Sequence, residues 1–95
     1  MDRKTLAISE MKLEKCHEQG YECPVCHEYV DMETGELAHK IPKSKWCLAK
    51  WGPEILHHRF NVDLVHHKCN DAVSISNHPV EMEALAEKIR KEREQ

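Results

Sequence analysis

The chain has 95 residues, of which a third are charged and only 5% are aromatic, so it forms one small domain with a limited hydrophobic core. A core of this size usually needs a disulfide or a metal for stability. The formal net charge of −3 does not by itself indicate a nucleic-acid partner. No apolar run approaches ~20 residues and no N-terminal segment resembles a signal peptide, which predicts a cytoplasmic protein without membrane association.

The first third of the chain predicts a helix, a cysteine turn and a hairpin. The helix covers residues 5–19, with Thr5 as a candidate N-cap and Gly20 as its stop. Its apolar stripe is Leu6, Ile8, Met11 and Leu13. After the Cys-Pro-Val-Cys turn, a Thr34-Gly35 turn predicts a short hairpin that pairs Tyr29-Val30 with Leu37-Ala38.

The remainder predicts a long loop, a strand and two helices. Residues 40–59 contain two prolines and a glycine without a clean period, which indicates a long ordered loop. A strand is predicted at 60–65, a helix at 66–76, and a C-terminal helix from Pro79 with Met82, Leu85 and Ile89 on one face. We expect segments 1–19, 20–76 and 77–95 to form one compact domain.

Five cysteines and eight histidines predict a structural zinc site. A reducing compartment favours metal binding over disulfides, and Cys23-x2-Cys26 can direct two sulfurs at one ion. His66-x2-Cys69 is the other x2-spaced Cys/His pair that includes a cysteine, and its spacing suits one turn of a helix. We therefore expect Cys23, Cys26, His66 and Cys69 to bind one zinc ion.

Other interpretations of these residues are less well supported by the pattern. His67 is an alternative ligand but lacks the spacing to Cys69. Cys47, between two tryptophans, is expected to be a small packed side chain, and Cys16 lies on the first helix. A redox dithiol at Cys23 and Cys26 would need a preceding strand, a following helix and a βαβ pattern, whereas turn signals surround this motif.

The two halves of the zinc site lie 40 positions apart, about twice the separation usual in compact zinc ribbons. The zinc would therefore anchor a large inserted unit. Within it, His39 follows a predicted strand, Asn61 starts the next strand, and Asn70 follows the last zinc ligand. A neutral imidazole is a suitable general base near pH 7, and a carboxamide can hold an oxygen-preferring divalent ion.

At these residues the sequence resembles the HNH endonuclease family. The matching pieces, in order, are Cys23 and Cys26, then Ala38-His39-Lys40-Ile41-Pro42, then Asn61-Val62-Asp63-Leu64-Val65, and finally His66 with Cys69-Asn70. The resemblance covers residues 20 to 76. It implies an α+β protein: a small ββα-metal (HNH) domain with structural zinc, flanked by N- and C-terminal helices.

The resemblance also implies roles for individual residues. His39 would activate water, Asn61 would brace the loop and orient His39, and Asn70 would bind a catalytic divalent ion, Mg²⁺ or a related hard cation. Residues 39–69 carry six basic and two acidic side chains, a balance that an ordinary uneven surface would also give. The side chains expected to contact the phosphate backbone are Lys40, Lys43, Lys45 and Arg59.

Two positions depart from the family pattern. His66 replaces a cysteine, which zinc accepts, and Ala38 replaces the acidic residue or histidine that often binds the catalytic ion. Glu36, ~6.5 Å along the strand, and Ser74, one helical turn after Asn70, are the substitute oxygen ligands that the sequence offers. Ala38 therefore leaves two functions open: a metal-dependent endonuclease, or a catalytically weak or inactive zinc-stabilised module that binds nucleic acid or protein.

DNA is the expected partner, with RNA as an alternative, and a second protein or a homodimer could supply specificity.

The other histidines and aromatic residues have simpler interpretations. His57 and His58 are expected on the loop surface or in packing, and His78 at a helix start. Trp46, Trp51 and Phe60 are expected to attach the long loop to the core rather than to stack on bases.

Overall fold

The computed structural model describes the backbone of residues 3–94 and the side chains of residues 7–94. It is a small α+β structure. Its helices and strands are α1 (Arg3–Gln19), β1 (Gly35–His39), α2 (Lys45–Trp51), α3 (Pro53–Leu56), β2 (Val62–His66) and α4 (Pro79–Arg93), with 3₁₀ helices at Arg59–Asn61 and His67–Ala72. None of the helices in the described part of the chain combines the length and apolar character needed to cross a membrane.

The sheet has two antiparallel strands that are distant in sequence. β1 pairs with β2, so that Gly35 lies opposite His66 and His39 lies opposite Val62. The predicted hairpin partner was therefore wrong, since Tyr29 makes only an isolated bridge with Glu22. Gly35 permits the pairing because a Cβ there would lie 2.7 Å from Val30 and 2.8 Å from Leu64.

Helix α1 ends where the sequence predicted, at a glycine in the left-handed region (Gly20, φ 65°). Its predicted start was wrong, because Thr5 lies inside the helix; the side chains of Thr5 and Leu6 lie outside the described residues. The predicted stripe was also wrong in part, since Ile8 and Leu13 are exposed. The Gln19 side chain attaches α1 to the sheet instead, bonding both the N–H (2.8 Å) and the carbonyl (2.9 Å) of Leu64.

Two short helices occupy the segment predicted as a long loop. Ser44 caps α2 by accepting a hydrogen bond from the Cys47 N–H at 3.2 Å, and Pro53 provides a preset first residue for α3. Gly52, with φ 82°, permits the bend between them. Helices of one or two turns leave too few residues for a period to be recognised, and here they depend on their caps and on buried contacts.

The tryptophans of α2 differ in burial. Trp51 is 7% exposed and packs in the core with Cys47, whereas Trp46 is 60% exposed. The prediction of an attaching role fits Trp51 and the half-buried Phe60, but it was wrong for Trp46. The helix places its two tryptophans five positions apart, and only Trp51 faces inward.

The region around β2 begins and ends later than predicted. Residues 59–61 form a 3₁₀ turn rather than strand, and β2 continues through His66. The following helix is 3₁₀ and ends at Ala72, short of the predicted Ser76. It ends early because the chain turns back to the end of β1, where the Ile75 N–H donates to the Lys40 carbonyl at 2.8 Å.

The core consists of two clusters of buried side chains. One surrounds the cysteines and includes Val30, Ala38, Leu64 and Val65. The other holds α4 against α2 and α3 through Met82, Ala86 and Ile89. The predicted inner face of α4 is confirmed for Met82 and Ile89, with Leu85 half-buried beside them.

Candidate functional site

Three cysteines and one histidine meet at the base of the sheet. Cys23 and Cys26 lie in the turn after α1, His66 is the last residue of β2, and Cys69 lies in the second 3₁₀ helix. One ligand atom from each lies within 4.8 Å of the others. The predicted ligand set is thus close enough to bind one metal ion, and three sulfurs with one nitrogen suit the tetrahedral zinc sites of folded domains.

Backbone hydrogen bonds close the turn that contains Cys23 and Cys26. His27 adopts a left-handed conformation (φ 65°), which lets its N–H donate to the Cys23 carbonyl at 2.9 Å. The Cys23 N–H in turn donates to the carbonyl of Glu28, also at 2.9 Å. The turn therefore closes on itself and directs both thiols to the same side.

His66 is oriented by a bond on the far side of its ring. Its Nε2 lies 2.8 Å from the carbonyl oxygen of Tyr29, which only a protonated Nε2 can bond. This leaves Nδ1 as the lone-pair nitrogen, and it lies 3.3 Å from the Cys26 sulfur. A backbone carbonyl that fixes the tautomer of a ligating histidine is the usual companion of a metal site. His67, the alternative, is excluded as a ligand because its side chain is 94% exposed and contacts Glu36 instead.

The pKa values of the Cys23 and Cys69 thiols are shifted in opposite directions. Burial raises the pKa of Cys23, but backbone N–H bonds from Cys26, His66 and Val25 outweigh it and lower that pKa to about 6. Burial, with hydrogen bonds and charge from Cys26 and Cys23, raises the pKa of Cys69 to about 11. One thiolate is therefore stabilised by the protein, whereas a full set of three needs a bound cation.

His39 lies at the end of β1 and contacts a second histidine. Its Nε2 is 3.2 Å from the Nδ1 of His57, and the two rings meet edge to face at 80°. Burial, the positive charge of Lys43 and the neighbouring His57 lower the pKa of His39 to about 4. The His39 imidazole is therefore neutral near pH 7.

Asn61 is fully buried, and its side chain forms three hydrogen bonds. The amide oxygen accepts from the Ile41 N–H at 2.8 Å, and the amide nitrogen donates to the carbonyls of Ile41 (3.1 Å) and Leu56 (2.8 Å). Asn61 therefore joins the segment that follows His39 to the end of α3. It does not itself contact His39 by a hydrogen bond.

Asn70 contacts an acidic residue that sequence reasoning had considered only as a substitute. Its Nδ2 donates to Glu36 Oε1 at 2.8 Å, and His67 Nδ1 lies 3.0 Å from the same oxygen. The bond from Asn70 lowers the pKa of Glu36, which keeps it a carboxylate. Ala38 is 1% exposed and packs in the core. Its methyl side chain has no atom that could bind a metal ion.

His39 and Asn70 share one cleft of about 500 Å³. Lys43 and Ser74 line it as well, whereas the buried Asn61 does not. The structure thus brings two of the three predicted site residues to one cleft, and the third, Asn61, holds the backbone that follows His39.

The four predicted phosphate-contacting residues are dispersed. Lys43 lines the cleft and Lys45 is exposed at the start of α2. Lys40 lies 3.9 Å from Asp63, and Arg59 bonds Glu92 of α4 at 2.8 Å. Lys43 and Lys45 are therefore free of the ion pairs that engage the other two.

His57 is the residue of this region that the sequence analysis missed, because it assigned His57 to the loop surface or to packing. Its place beside His39 arises from the fold of α2 and α3, which no local spacing signals.

Comparison with family models, with curated proteins and with solved structures finds no match to this chain.

Proposed function

We propose that this protein is a metal-dependent endonuclease of the HNH type, which hydrolyses phosphodiester bonds of nucleic acid, with DNA as the first candidate substrate. The observation that carries the proposal is that His39 and Asn70 line one cleft, and that Asn70 directly follows Cys69 of a Cys₃His metal-ligand cluster. Two antiparallel strands followed by a helical turn carrying Asn70 are also what a ββα-metal unit requires. Zinc would hold that unit together.

His39 would act as the general base. It lies at the cleft, its imidazole is neutral near pH 7, and the Asn61 side chain holds the backbone that follows it. The water proton would move to the imidazole as the water oxygen bonds to phosphorus. The bond from phosphorus to the leaving oxygen would break in the same displacement.

A hard divalent cation would take the amide oxygen of Asn70, which lines the cleft with His39. Glu36 hydrogen-bonds Asn70 but does not line that cleft, so it would have to reorient to add a carboxylate. Mg²⁺ commonly takes one or two protein ligands and completes its shell with water and substrate phosphate. When bound, such an ion would polarise the phosphoryl oxygen and stabilise the leaving group. Ser74, on the same cleft, is a further oxygen donor.

Lys43 and Lys45 would contact the phosphate backbone, because both are exposed and the first lies at the cleft. Such contacts give affinity without base specificity. Lys40 and Arg59 would first have to leave Asp63 and Glu92.

The test is nicking of supercoiled plasmid by the purified protein with Mg²⁺ or Mn²⁺, beside single-stranded DNA and RNA. His39→Ala should lower cleavage of whichever substrate is cut by about 10²- to 10⁴-fold. His78→Ala is the matched control, because His78 is an exposed histidine whose side chain makes no capping bond, and it should retain full activity. Equal activity of wild type and His39→Ala would exclude His39 as the base.

A second function is favoured by Ala38, which places a buried methyl group where the family pattern has an ion ligand. The protein would then be a zinc-stabilised binding module of the same fold. Binding of labelled DNA without cleavage under any divalent ion would support this alternative and contradict the nuclease.

A further inference from the structure

The contact between His39 and His57 joins two segments that the fold holds at a set distance. His57 ends α3, where its N–H donates to the Pro53 carbonyl at 2.9 Å. The residue before it, Leu56, accepts a hydrogen bond from Asn61. The same Asn61 side chain bonds Ile41, two residues after His39, so one buried amide holds the backbone beside both histidines.

His39 lines two clefts. The first is shared with Asn70, and the second, of about 480 Å³, lies towards α1 and is shared with His57. His57 does not line the first cleft, and Asn70 does not line the second. The His39 nitrogen that contacts His57 is Nε2, so Nδ1 is the ring nitrogen that this contact leaves free.

We infer that His57 is a positioning residue for His39: its Nδ1 lone pair accepts a hydrogen bond from the His39 Nε2–H, which leaves the His39 Nδ1 lone pair free for water. A neutral imidazole carries one proton, so fixing it on one nitrogen selects the basic nitrogen. The inference deepens the proposed function and rests on His39 being the base in that reaction.

The charges around the pair are consistent with this arrangement. Lys43 lines both clefts, Lys12 of α1 lines the second, and Asp71 lines the first. Of these groups, Lys43 disfavours an imidazolium at His39. When His39 takes the water proton at Nδ1, its Nε2–H would stay bonded to the His57 Nδ1 lone pair, so no proton needs to pass to His57.

Histidine tautomers can be measured without any activity. In ¹⁵N-labelled, zinc-loaded protein at pH 7, long-range ¹H–¹⁵N correlation should show His39 protonated at Nε2, and His57→Ala should shift His39 towards a mixture of tautomers. Protonation of His39 at Nδ1 in the wild type would overturn the inference, as would a tautomer unaffected by His57→Ala.

Kinetics provide the second readout. His57→Ala should lower kcat roughly 10-fold with little change in KM, because positioning of the base acts in the chemical step. His57→Asn, whose amide oxygen can accept from Nε2–H, should recover most of this loss, and His78→Ala should show none. A loss that His57→Asn does not recover would indicate a structural role and contradict the inference. An inactive wild type with the expected tautomer would count against the proposed function alone.

Discussion

The side chain of Asn61 forms hydrogen bonds with both the N–H and the carbonyl of Ile41, at 2.8 and 3.1 Å, entirely within the core. A third bond reaches Leu56. Asn61→Ala would leave three buried backbone groups without partners, each worth about 1–3 kcal/mol. We expect the free energy of unfolding to fall by about 3 kcal/mol, measured by urea denaturation of the zinc-loaded protein.

Asn61→Asp is the informative companion. Its carboxylate can accept from the Ile41 N–H but cannot donate to either carbonyl, so it should also be strongly destabilising. Variants within about 0.5 kcal/mol of wild type, the range of ordinary surface substitutions, would show that the amide does not hold these segments together.

The metal site predicts a clear difference between two buried cysteines. Purified protein should contain one equivalent of zinc, and Cys69→Ser should lose it and unfold, because ion binding and folding are coupled in such sites. Cys47→Ser is the control, because Cys47 is buried in the other core cluster and is not a metal ligand. The Cys47→Ser protein should therefore keep its zinc. Metal analysis and near-ultraviolet circular dichroism measure both properties; absence of metal from wild type purified without chelator would contradict the site.

The pKa of His39 predicts an unusual pH dependence. Because that pKa is about 4, lowering the pH from 7 to 5.5 should leave the base neutral and change kcat less than about 2-fold. With a base of ordinary pKa near 6.5, kcat would fall about 10-fold over the same interval.

Lys43→Ala should raise the pKa of His39, measured by NMR titration, whereas Lys45→Ala should not, because Lys43 alone of the two contributes to the lowered pKa.

The lowered pKa of His39 also determines how this residue changes the stability of the fold with pH. Unfolded His39 binds a proton near pH 6.5 and folded His39 only near pH 4, so its contribution lowers stability as the pH falls through this interval. Replacement of His39 by Gln should therefore weaken the loss of stability between these pH values, and an unchanged pH dependence would contradict the assigned pKa.

The two tryptophans of α2 should differ in their effect on stability. Trp51→Ala should lower the free energy of unfolding by about 3–5 kcal/mol, as expected for a buried aromatic residue. Trp46→Ala should cost less than about 1 kcal/mol, because the ring is largely exposed and retains mainly its edge-to-face contact with Trp51. Thermal unfolding of both variants makes the comparison, and equal losses would indicate that Trp46 is also part of the core.

Several of these features could be predicted from the sequence, for physical reasons that are local. Gly20 and Pro79 mark helix ends because of their own backbone preferences, and the x2 spacings place zinc ligands on the same side of a turn. The contacts that were missed are long-range. The pairing of β1 with β2 and the approach of His57 to His39 join segments 18 or more positions apart. Glu36 and Asn70 likewise meet only through that pairing.

Cleavage of DNA by a protein with one structural zinc is the central claim. Its most direct test is the single-turnover rate of Mg²⁺-dependent cleavage of a 5′-labelled DNA substrate, measured for wild type and His39→Ala after both are shown to hold one zinc. Loss of the general base should lower the rate constant about 10²- to 10⁴-fold while zinc content and folding stay unchanged. Equal rates in the two proteins, or no cleavage by wild type with any divalent ion, would contradict the account.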